Sequence, residues 1–480
     1  MKLENILKEI TYISKNIQND REIVGISSNS KEIKKDYIFV AIKGFEFDGH
    51  KYIEDAIENL ASTIIYTNDD IDMKDGINYI KVKDSRLSLA QTSNLLSSYP
   101  SNSFRMIGVT GTNGKTTTAN MISFLLNELG EKCANIGTDG AIFNGKTLKT
   151  LHTTPEITDL NYILNEIKKD DIKNVVMETS SHGLSLKRTY GINYEYGIFT
   201  NLSPEHMDFH KNMDNYFDAK MILLENSEKQ LINIDDDYGK KAKEIFKDAL
   251  TISMYEDSDF RAKDIRRSDE GLEFMVNDTQ FRLKRFGIYD IYNALCAIAI
   301  ANDLGFDLKD ISKALDKFKG VKSRFEFIEN DLGINIIVDF AHTATAFENI
   351  YMDLPKNKNI YAVYGINGDR TYEIRKEVGR ISAQYNVFSV ITTDDPKFDT
   401  FENISNQIKE GIEENKGQYK IIKNRKEAIK YAISHAKKGD FVLMLGKGEE
   451  DFLKLKNNIK TYYNEKETIR EVLEEIWKFL

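Results

Sequence analysis

A glycine-rich loop between an apolar strand and a helix is the part of this sequence whose spacing most directly indicates chemistry. The apolar run 106–109 leads into residues 111–117 (GTNGKTT), and a stretch of helical period follows. Backbone N–H groups of such a loop can surround phosphate oxygens at the start of a helix, where the helix dipole favours anions. Lys115 would contact the β- and γ-phosphates, and the Thr116 hydroxyl would bind Mg²⁺. The loop therefore predicts the binding of ATP or GTP.

The spacing of this loop departs from the common phosphate-loop pattern GxxxxGK[ST]. Val109 stands where that pattern has its first glycine, so the loop has the tighter GxxGKTT form. The alternative interpretation is a strand-to-helix turn that binds no ligand. The strand before the loop and the helix after it favour phosphate binding.

Polar side chains follow two further apolar runs. Glu178 comes soon after the apolar pair 175–176, where its carboxylate could reach a metal ion held on a nucleotide. A loop that contains His206 and His210 follows the run 196–200. A histidine in a polar loop is more often a solvated side chain than a ligand, but active sites of open α/β sheets form where strands end. The positions of these residues therefore predict one site at that edge.

Strand and helix signals alternate along the chain. Short apolar runs with polar flanks predict strands at 106–110, 175–177, 196–200, 231–234, 334–340, 360–364, 387–393 and 441–445. Stretches of helical period predict helices at 116–128, 215–224, 293–304, 425–436 and 467–480. This alternation indicates an α/β fold with largely parallel sheets.

The length of 480 residues favours several domains over one. Turn-rich segments at 97–103 and near 320–323 predict the two boundaries. We therefore expect three domains, 1–100, 101–321 and 322–480.

The composition excludes several classes of protein. Lys and Arg number 66 and Asp and Glu number 76, which gives a net charge of −10 without a basic block, so nucleic acid is a poor candidate partner. Two cysteines, Cys133 and Cys296, are too few for a disulfide framework or a CxxC metal site. The charged N-terminus lacks the apolar run of a signal peptide, and no apolar stretch approaches the about 20 residues that span a bilayer. We expect a cytoplasmic protein that binds neither nucleic acid nor membrane.

Eight short motifs resemble, in their order, those of the Mur ligase family. They are GTNGKTT (111–117), HTTPE (152–156), METSSHG (177–183), NLSPEH (201–206), AK (219–220), YNA (292–294), SRFE (323–326) and VDFAHT (338–343). Motifs on both flanks extend the resemblance to nearly the whole chain: SNS (28–30), FVAIKG (39–44), DG (48–49), GDR (368–370), DDPK (394–397) and GKGEEDF (446–452). The resemblance implies three α/β domains, with a central phosphate-loop ATPase sheet and a C-terminal Rossmann-like domain.

The resemblance also implies a reaction, because within the family the chain is most similar to ligases that add the third amino acid of a peptide. ATP would phosphorylate a carboxylate of UDP-N-acetylmuramoyl-L-alanyl-D-glutamate. The amine of L-lysine or meso-diaminopimelate would then attack the acyl phosphate, giving an amide, ADP and phosphate. Such chemistry depends on charge neutralisation around the phosphoryl group more than on a strong base. ATP and Mg²⁺ are implied, and so is a carbamate, formed from CO₂, on Lys220. We expect a monomer that acts in peptidoglycan precursor synthesis.

Five groups of residues match site positions of the family. The implied catalytic residues are Lys115, Glu178, His206 and Lys220. The implied metal ligands are Thr116, Glu178, His206 and Lys220. The implied ATP-binding residues are Gly111, Thr112, Asn113, Gly114, Lys115, Thr116, Thr117, Asn293, Arg324, Asp339 and His342. The implied contacts to the UDP-linked substrate are Ser30, Thr153, Thr154, Ser180 and Arg188. The implied contacts to the amino acid are Arg370, Asp394, Asp395, Lys397, Gly446 and Glu450. On spacing alone, Lys220 would instead be an exposed charge on the amphipathic helix 215–224.

The chain departs from the family pattern at several positions. Leu186 replaces the usual glutamine two residues before Arg188, which removes a side-chain amide from the site of the UDP-linked substrate. The residues at 344–345 are Ala-Thr where Pro-Asp is usual. Ser323 and Asn367 replace two usual glycines. These changes leave the ATP chemistry intact but weaken the assignment of the acceptor dipeptide.

Lys397 bears on the choice of amino acid. It ends the motif 394–397, which ends in arginine in family members that use meso-diaminopimelate. A lysine offers the distal carboxylate of that substrate a point charge but no bidentate fork. Asp394, Asp395 and Glu450 would suit a substrate with a distal amine instead. The sequence leaves lysine and diaminopimelate both open.

Two other functions also remain open. A folylpolyglutamate synthetase shares the central and C-terminal architecture, but its phosphate loop comes earlier in the chain, whereas roughly 105 residues precede the loop here. A paralogue that binds nucleotide and cell-wall precursor without ligating them would explain Leu186 and Ala344. The presence of Lys115, Glu178 and Lys220 favours an enzyme.

Overall fold

The computed structural model describes residues 1–44, 47–268, 271–320, 325–448, 452–455 and 459–477. The chain forms two compact units. The first comprises Met1–Lys263, Val276–Thr279 and Tyr292–Ala314. The second comprises Asp264–Met275, Gln280–Ile291 and Leu315–Leu480.

The first unit begins with a five-stranded sheet. Its strands are β1 (Tyr12–Asn16), β2 (Gly25–Ser27), β3 (Tyr37–Val40), β4 (Thr63–Tyr66) and β5 (Asn78–Val82), in the spatial order β1-β5-β4-β3-β2. Strands β2 to β5 are parallel, and β1 pairs antiparallel with β5. The helices of this region are α1 (Leu3–Glu9), α2 (Ile53–Glu58) and α3 (Ser85–Leu96), with 3-10 turns at Ser30–Glu32, Gly49–Tyr52 and Pro100–Ser103. Every residue of β4 is buried, as expected for a parallel strand with both faces covered.

A nine-stranded sheet forms the centre of the first unit. Its strands are β6 (Arg105–Thr110), β7 (Cys133–Gly137), β8 (Gly140–Phe143), β9 (Lys146–Leu148), β10 (Asn174–Glu178), β11 (Tyr194–Phe199), β12 (Ser227–Asn233), β13 (Leu250–Ser253) and β14 (Phe260–Arg261). The spatial order is β14-β13-β12-β11-β6-β10-β7-β8-β9, and the neighbours are parallel except for the antiparallel pairs β7–β8 and β8–β9. The helices that follow these strands are α4 (Lys115–Glu128), α5 (Ile157–Lys168), α6 (Ser181–Ser185), α7 (Met207–His210), α8 (Met213–Glu225) and α9 (Asp237–Ile245).

The register of this sheet brings three loops to one edge. Glu178 at the end of β10 pairs with Val109 of β6, and Phe199 at the end of β11 pairs with Thr110. Because β10, β6 and β11 are parallel neighbours, the segments that follow them leave the sheet side by side. This edge carries the glycine-rich loop, Glu178 and the histidine-rich loop.

The next part of the chain contains a small sheet and two helices. The sheet consists of β15 (Lys263–Ser268), β16 (Gly271–Val276) and β17 (Thr279–Leu283), with β16 in the middle. The helices are α10 (Tyr289–Asp303) and α11 (Leu308–Leu315).

The second unit is built on a six-stranded sheet. Its strands are β18 (Glu326–Ile328), β19 (Asn335–Asp339), β20 (Ile360–Tyr364), β21 (Phe388–Ile391), β22 (Tyr419–Ile421) and β23 (Phe441–Leu445), in the order β18-β19-β23-β20-β21-β22. All neighbours are parallel except β18 and β19. Its helices are α12 (Ala344–Asp353), α13 (Tyr372–Gln384), α14 (Phe401–Glu414), α15 (Arg425–His435) and α16 (Glu465–Trp477), and a hairpin joins β24 (Phe452–Lys454) to β25 (Lys460–Tyr462). Two apolar clusters cover the sheet, one with Phe347 and Ile408 and one with Ile429 and Val472.

The structure confirms the predicted α/β class and the predicted strands, whose ends shift by a few residues. The predicted strands 360–364 and 441–445 coincide with β20 and β23. The predicted helix 467–480 begins two residues earlier, at Glu465, and residues 478–480 lie outside the described part. The predicted boundaries 100/101 and 321/322 stay predictions. Among the described residues, no helix combines the length and the apolar character needed to cross a membrane.

Candidate active site

The glycine-rich loop fits tightly against its surroundings. Gly111 has φ +149° and Gly114, which caps α4, has φ +85°, both rare for residues with a side chain. A Cβ on Gly111 would lie 1.9 Å from Thr200 Oγ1, and a Cβ on Gly114 would lie 2.7 Å from Asn293 Oδ1. Only glycine fits either position.

Hydrogen bonds join the loop to the segment that follows β11. The Asn113 N–H donates to Asn201 Oδ1 at 2.9 Å, and the Thr200 hydroxyl donates to the Asn113 carbonyl at 2.7 Å. The Ser203 N–H donates to Thr112 Oγ1 at 3.0 Å. Contacts within the protein therefore hold the loop in this shape, and such support lowers the ordering cost of binding a nucleotide.

Two lysines meet at one carbonyl of the loop. Lys115 Nζ donates to the carbonyls of Gly111 and Thr112, each at 2.9 Å, and Lys220 Nζ donates to the Gly111 carbonyl at 2.8 Å. Lys220 is 1% exposed and its Nζ lies 4.6 Å from the centre of the Tyr216 ring. The alternative that Lys220 is a surface charge is therefore wrong.

The environment of Lys220 favours its neutral amine. Burial lowers the pKa of Lys220 well below its usual value, and the nearby positive charge of Lys115 lowers it further, while Glu205 opposes the shift. A neutral amine is the form that can react with CO₂. The site thus provides the chemical condition that a lysine carbamate requires.

Glu178 is held against the start of α4. Its side chain accepts hydrogen bonds from the Thr116 hydroxyl at 2.8 Å and from the Thr138 N–H at 2.9 Å, and the residue is 1% exposed. Burial raises the pKa of Glu178, whereas these two hydrogen bonds and Lys115 lower it. A Cβ on Gly137 would lie 2.0 Å from Glu178 Oε1, so that glycine makes room for the carboxylate. A hydroxyl and a carboxylate beside a phosphate loop are the donors that suit Mg²⁺.

The histidines of the two motifs form a cluster. The rings of His182 and His206 are 4.8 Å apart and perpendicular, and the rings of His182 and His210 are 5.6 Å apart. His210 Nε2 lies 2.9 Å from Ser181 Oγ. Burial, and then the charge of His182, lowers the pKa of His210 to about 4. The loop of His210 was predicted to lie at this edge, but neither His210 nor His182 was among the predicted catalytic or metal-binding residues, although both stand in the same strand-end loops as Glu178 and His206.

The predicted metal ligands are not all of the usual types. The described part of the chain holds no group of three His, Cys, Asp or Glu side chains that could bind a metal ion. A divalent ion at this edge would therefore need the Thr116 hydroxyl or a modified Lys220 beside Glu178 or His206, as the predicted set requires.

Four of the predicted contacts to the UDP-linked substrate lie together. Thr154 Oγ1 is 3.0 Å from Ser180 Oγ, and Arg188 Nη1 donates to the Thr154 carbonyl at 3.2 Å. Thr153 Oγ1 is 3.2 Å from Thr138 Oγ1. Because the Thr138 N–H donates to the Glu178 carboxylate, Thr153 lies close to Glu178. Arg188 Nε is buried, and no partner for it exists among the described residues. An orphaned guanidinium N–H at this point suits an anionic or carbonyl-bearing ligand.

Ser30 is the exception among these contacts. It is 7% exposed and begins the 3-10 turn Ser30–Glu32, where its carbonyl accepts a hydrogen bond from Asn59 Nδ2 at 3.1 Å. Within the described ranges it makes no hydrogen bond to Thr153, Thr154, Ser180 or Arg188.

A cavity lined in part by basic side chains lies near the N-terminal sheet, and it was not predicted from the sequence. It has a volume of about 680 Å³, and Lys43, Lys83 and Arg86 contribute to its lining. Burial lowers the pKa of Arg86, and the neighbouring Glu156 carboxylate opposes this. Glu156 also pairs with Arg188 at 2.7 Å, so the cavity adjoins the cluster of substrate contacts. No motif pointed to Arg86, since an arginine at the start of a helix is an ordinary surface residue.

The remaining predicted nucleotide contacts belong to different units of the chain. Asn293 Oδ1 accepts a hydrogen bond from the Thr118 hydroxyl at 3.0 Å, within the first unit. Asp339 and His342 belong to the second unit, where the Asp339 carboxylate accepts from the Ala341 N–H at 2.7 Å and His342 Nδ1 lies 3.0 Å from the Phe340 carbonyl. Arg324 lies outside the described residues.

The predicted amino-acid contacts include two buried carboxylates of the second unit. Asp395 Oδ1 pairs with Lys447 Nζ at 2.7 Å and accepts from the Lys454 N–H at 2.9 Å. Asp394 lies 3.5 Å from the same ammonium, and burial raises its pKa to about 6 while Lys447 opposes the shift. Both carboxylates therefore already have an internal cation.

The other predicted amino-acid contacts differ in exposure. Lys397 Nζ pairs with Asp369 at 2.5 Å, and half of the Asp369 side chain is exposed. Arg370 is partly buried, and its Nε has no partner among the described residues. Gly446 has φ +107° and follows β23. Glu450 lies outside the described residues.

Comparisons with known proteins cover the whole chain. Family models match in three parts: "Mur ligase family, catalytic domain" at 22–97, "Mur ligase middle domain" at 109–301 and "Mur ligase, glutamate ligase domain" at 323–448. A relative from Clostridium tetani, named UDP-N-acetylmuramoyl-L-alanyl-D-glutamate--2,6-diaminopimelate ligase, is 38% identical over 99% of this chain and 100% of its own length. A relative of the same name from Clostridioides difficile is 36% identical over 98% of this chain and 99% of its length. A solved structure with that name superposes with a TM-score of 0.74 at 24% identity, covering 99% of both chains.

Proposed function

Because this chain belongs to the Mur ligase family, we propose that it joins a diamino acid to UDP-N-acetylmuramoyl-L-alanyl-D-glutamate at the expense of ATP. One observation carries the proposal. A preformed phosphate loop, the buried Glu178 and two lysines converge at one sheet edge, in a chain related over its full length to ligases named for that reaction. The product would be a peptidoglycan precursor.

The first step is phosphoryl transfer to the acceptor carboxylate. The loop N–H groups would hold the phosphates, and Lys115 would leave its two carbonyls to neutralise the charge that develops on the γ-phosphoryl group. Thr116 and Glu178 would hold Mg²⁺, which supplies further charge neutralisation when bound. The role of the protein is therefore to position charges rather than to remove a proton.

Lys220 supports the site as a carbamate in this proposal. Its neutral amine would add to CO₂ with loss of one proton, which turns an uncharged amine into an anionic oxygen ligand. The negative charge of the carbamate would then lie near the positive charge of Lys115. His206 would share the second metal ion with this carbamate.

The second step is attack by the amino acid. Thr153, Thr154, Ser180 and Arg188 would hold the acceptor near Glu178, and the orphaned Arg188 Nε would find its partner there. The acyl phosphate is then open to the amine, and phosphate leaves. Asp339, His342 and Arg324 as nucleotide contacts, the cytoplasmic location and the monomeric state remain predictions.

Phosphate release tests the proposal. The purified chain should release phosphate only when ATP, Mg²⁺, the UDP-linked dipeptide and one amino acid of a panel are all present. A folate acceptor should not replace the UDP-linked dipeptide, which separates this function from a folylpolyglutamate synthetase. Nucleotide binding without release for any amino acid would instead indicate a non-ligating paralogue.

The relatives described above are named for 2,6-diaminopimelate, which supports meso-diaminopimelate as the amino acid of this chain. Lys397→Arg tests whether Lys397 contacts the distal carboxylate of that substrate. Lys397 already pairs with Asp369, and an arginine fork can keep that contact while it offers a second N–H to the distal carboxylate. We expect the ratio of kcat/KM for meso-diaminopimelate over L-lysine to rise about tenfold, a difference of ~1.4 kcal/mol. Steady-state kinetics with both amino acids measures it.

A matched control is Lys423→Arg, because Lys423 is an exposed lysine of the same unit paired with Glu402. That variant should keep the parent's ratio. A fall in L-lysine use without a gain for diaminopimelate would indicate a distal amine at this place. Equal ratios in parent and Lys397→Arg would show that Lys397 does not contact the substrate.

A further inference from the structure

A buried ion pair connects α15 to α16 in the second unit. Arg425 is the first residue of α15 and Glu465 is the first residue of α16. Arg425 Nε donates to Glu465 Oε2 at 2.9 Å and Nη2 donates to Oε1 at 2.7 Å, so the pair is bidentate. Both side chains are at most 2% exposed. Tyr463 completes the group by donating its hydroxyl hydrogen to Glu465.

The rest of the Arg425 guanidinium reaches two backbone carbonyls. Nη2 donates to the Leu445 carbonyl at 3.0 Å, and Nη1 donates to the Thr393 carbonyl at 3.3 Å. Leu445 directly precedes Gly446, and Thr393 directly precedes Asp394. One guanidinium thus holds the residue directly before each of two segments that carry predicted amino-acid contacts, 394–397 and 446–448.

The same two segments touch each other beyond Arg425. Lys447 of one segment pairs with Asp394 and Asp395 of the other. A Cβ on Gly446 would lie 2.6 Å from Asp394 Oδ2, and a Cβ on Gly365 would lie 2.4 Å from the Thr392 carbonyl. Packing this close means that a small shift of either segment moves the other.

We propose that the Arg425–Glu465 pair is a positioning device that sets the relative placement of the two amino-acid-binding segments. The inference rests on the proposed function for the identity of the ligand, a free diamino acid. Arg425 and Glu465 are positioning residues, since they bond to backbone and to each other. Helix α16, although distant in sequence from both segments, thereby contributes to amino-acid affinity.

The chemistry of the pair favours positioning over bulk stability. A buried ion pair contributes little net stability because desolvation offsets the attraction between the charges. An arginine fork, in contrast, fixes the direction of several hydrogen bonds at once, which a lysine cannot do. The Arg425 guanidinium donates to four oxygen atoms, two of Glu465 and one each of Thr393 and Leu445, and so fixes their positions relative to one another.

The experiment compares Arg425→Lys with Lys426→Ala. Lysine keeps the buried charge but cannot bond to Glu465, Thr393 and Leu445 together. Lys426 also links α15 to α16, through Glu471 and Glu475, but it lies at the surface and touches neither segment, so it controls for loosening of the helices. We expect Arg425→Lys to raise KM for the amino acid about tenfold, with KM for ATP and for the UDP-linked dipeptide within about twofold. Lys426→Ala should leave all three KM values unchanged.

A second variant and a second measurement keep the test decisive. Glu465→Asp keeps the buried charges balanced but is too short for the bidentate contact, and it should show the same selective rise if Arg425→Lys does not fold. Hydrogen exchange of the amides in 393–397 and 445–448 should be faster in either variant and unchanged in Lys426→Ala. Equal rises in all three KM values, or unchanged exchange in these segments, would overturn the proposal. Hydrogen exchange needs no turnover, so a parent without amino-acid-dependent phosphate release would contradict the proposed function alone.

Discussion

Replacing Lys115 with alanine should abolish ADP formation while leaving the fold intact. The Lys115 ammonium donates to two carbonyls of the glycine-rich loop and so lies beside the N–H groups proposed to bind phosphate. A positioned donor that acts on charge developing in the transition state is worth about 10²–10³-fold in kcat. We expect a loss of at least that size. ADP release measures turnover, and far-UV circular dichroism with a melting curve measures folding.

Lys146→Ala is a suitable control for Lys115→Ala. Lys146 lies on β9 of the same sheet and pairs with Asp170 at the surface. Its loss should change neither turnover nor folding beyond about 1 kcal/mol. Turnover at the parent's rate in Lys115→Ala would exclude the phosphate loop from the reaction.

Lys220→Ala should lose activity, and a small carboxylic acid such as acetate should restore part of it. Removing the side chain leaves a buried space beside the Gly111 carbonyl and the Tyr216 ring, in which a carboxylate can take the place of the carbamate oxygens. We expect a loss of about 10²-fold or more, of the size found when a charged group at a reaction centre is removed. The parent itself should slow when bicarbonate and CO₂ are depleted.

The control for this experiment is Lys168→Ala on the exposed face of α5. Acetate should have no effect on that variant or on the parent. Full activity of Lys220→Ala without any additive would show that the lysine needs no carbamate. Loss without rescue, in a variant that melts like the parent, would assign Lys220 to the hydrogen bond with Gly111 alone.

The strands and the phosphate loop were predictable because their signals are local. An apolar run such as 360–364 is buried on both faces of a parallel sheet, and its ends are marked by polar residues next to it in sequence. The glycine-rich loop is likewise defined by seven adjacent residues, and Glu178 follows a strand. Such features depend little on the rest of the chain.

The environments of single charged residues were not predictable in the same way. Lys220 stands at a position of α8 that spacing alone assigns to solvent, and its burial results from packing against the loop 109 residues earlier. Asp394 and Asp395 looked free to bind an amine, whereas Lys447, some 52 residues later, already pairs with them. Arg86, His182 and the Arg425–Glu465 pair depend on similar long-range contacts. The sequence shows which charged residues are present, but their burial and their partners depend on tertiary packing between distant parts of the chain.

The crowding around Asp394 restricts the routes by which this enzyme could evolve a new amino-acid preference. Gly365 and Gly446 have no room for any side chain, and a change at Asp394 or Asp395 would remove one of the two carboxylates that pair with the buried Lys447. Substitutions at these places would cost the fold before they altered selectivity. Changes of amino-acid preference are therefore expected at Asp369 and Lys397, whose ion pair is partly exposed. Lineages that inherit this scaffold should vary at those two positions while the crowded ones stay fixed.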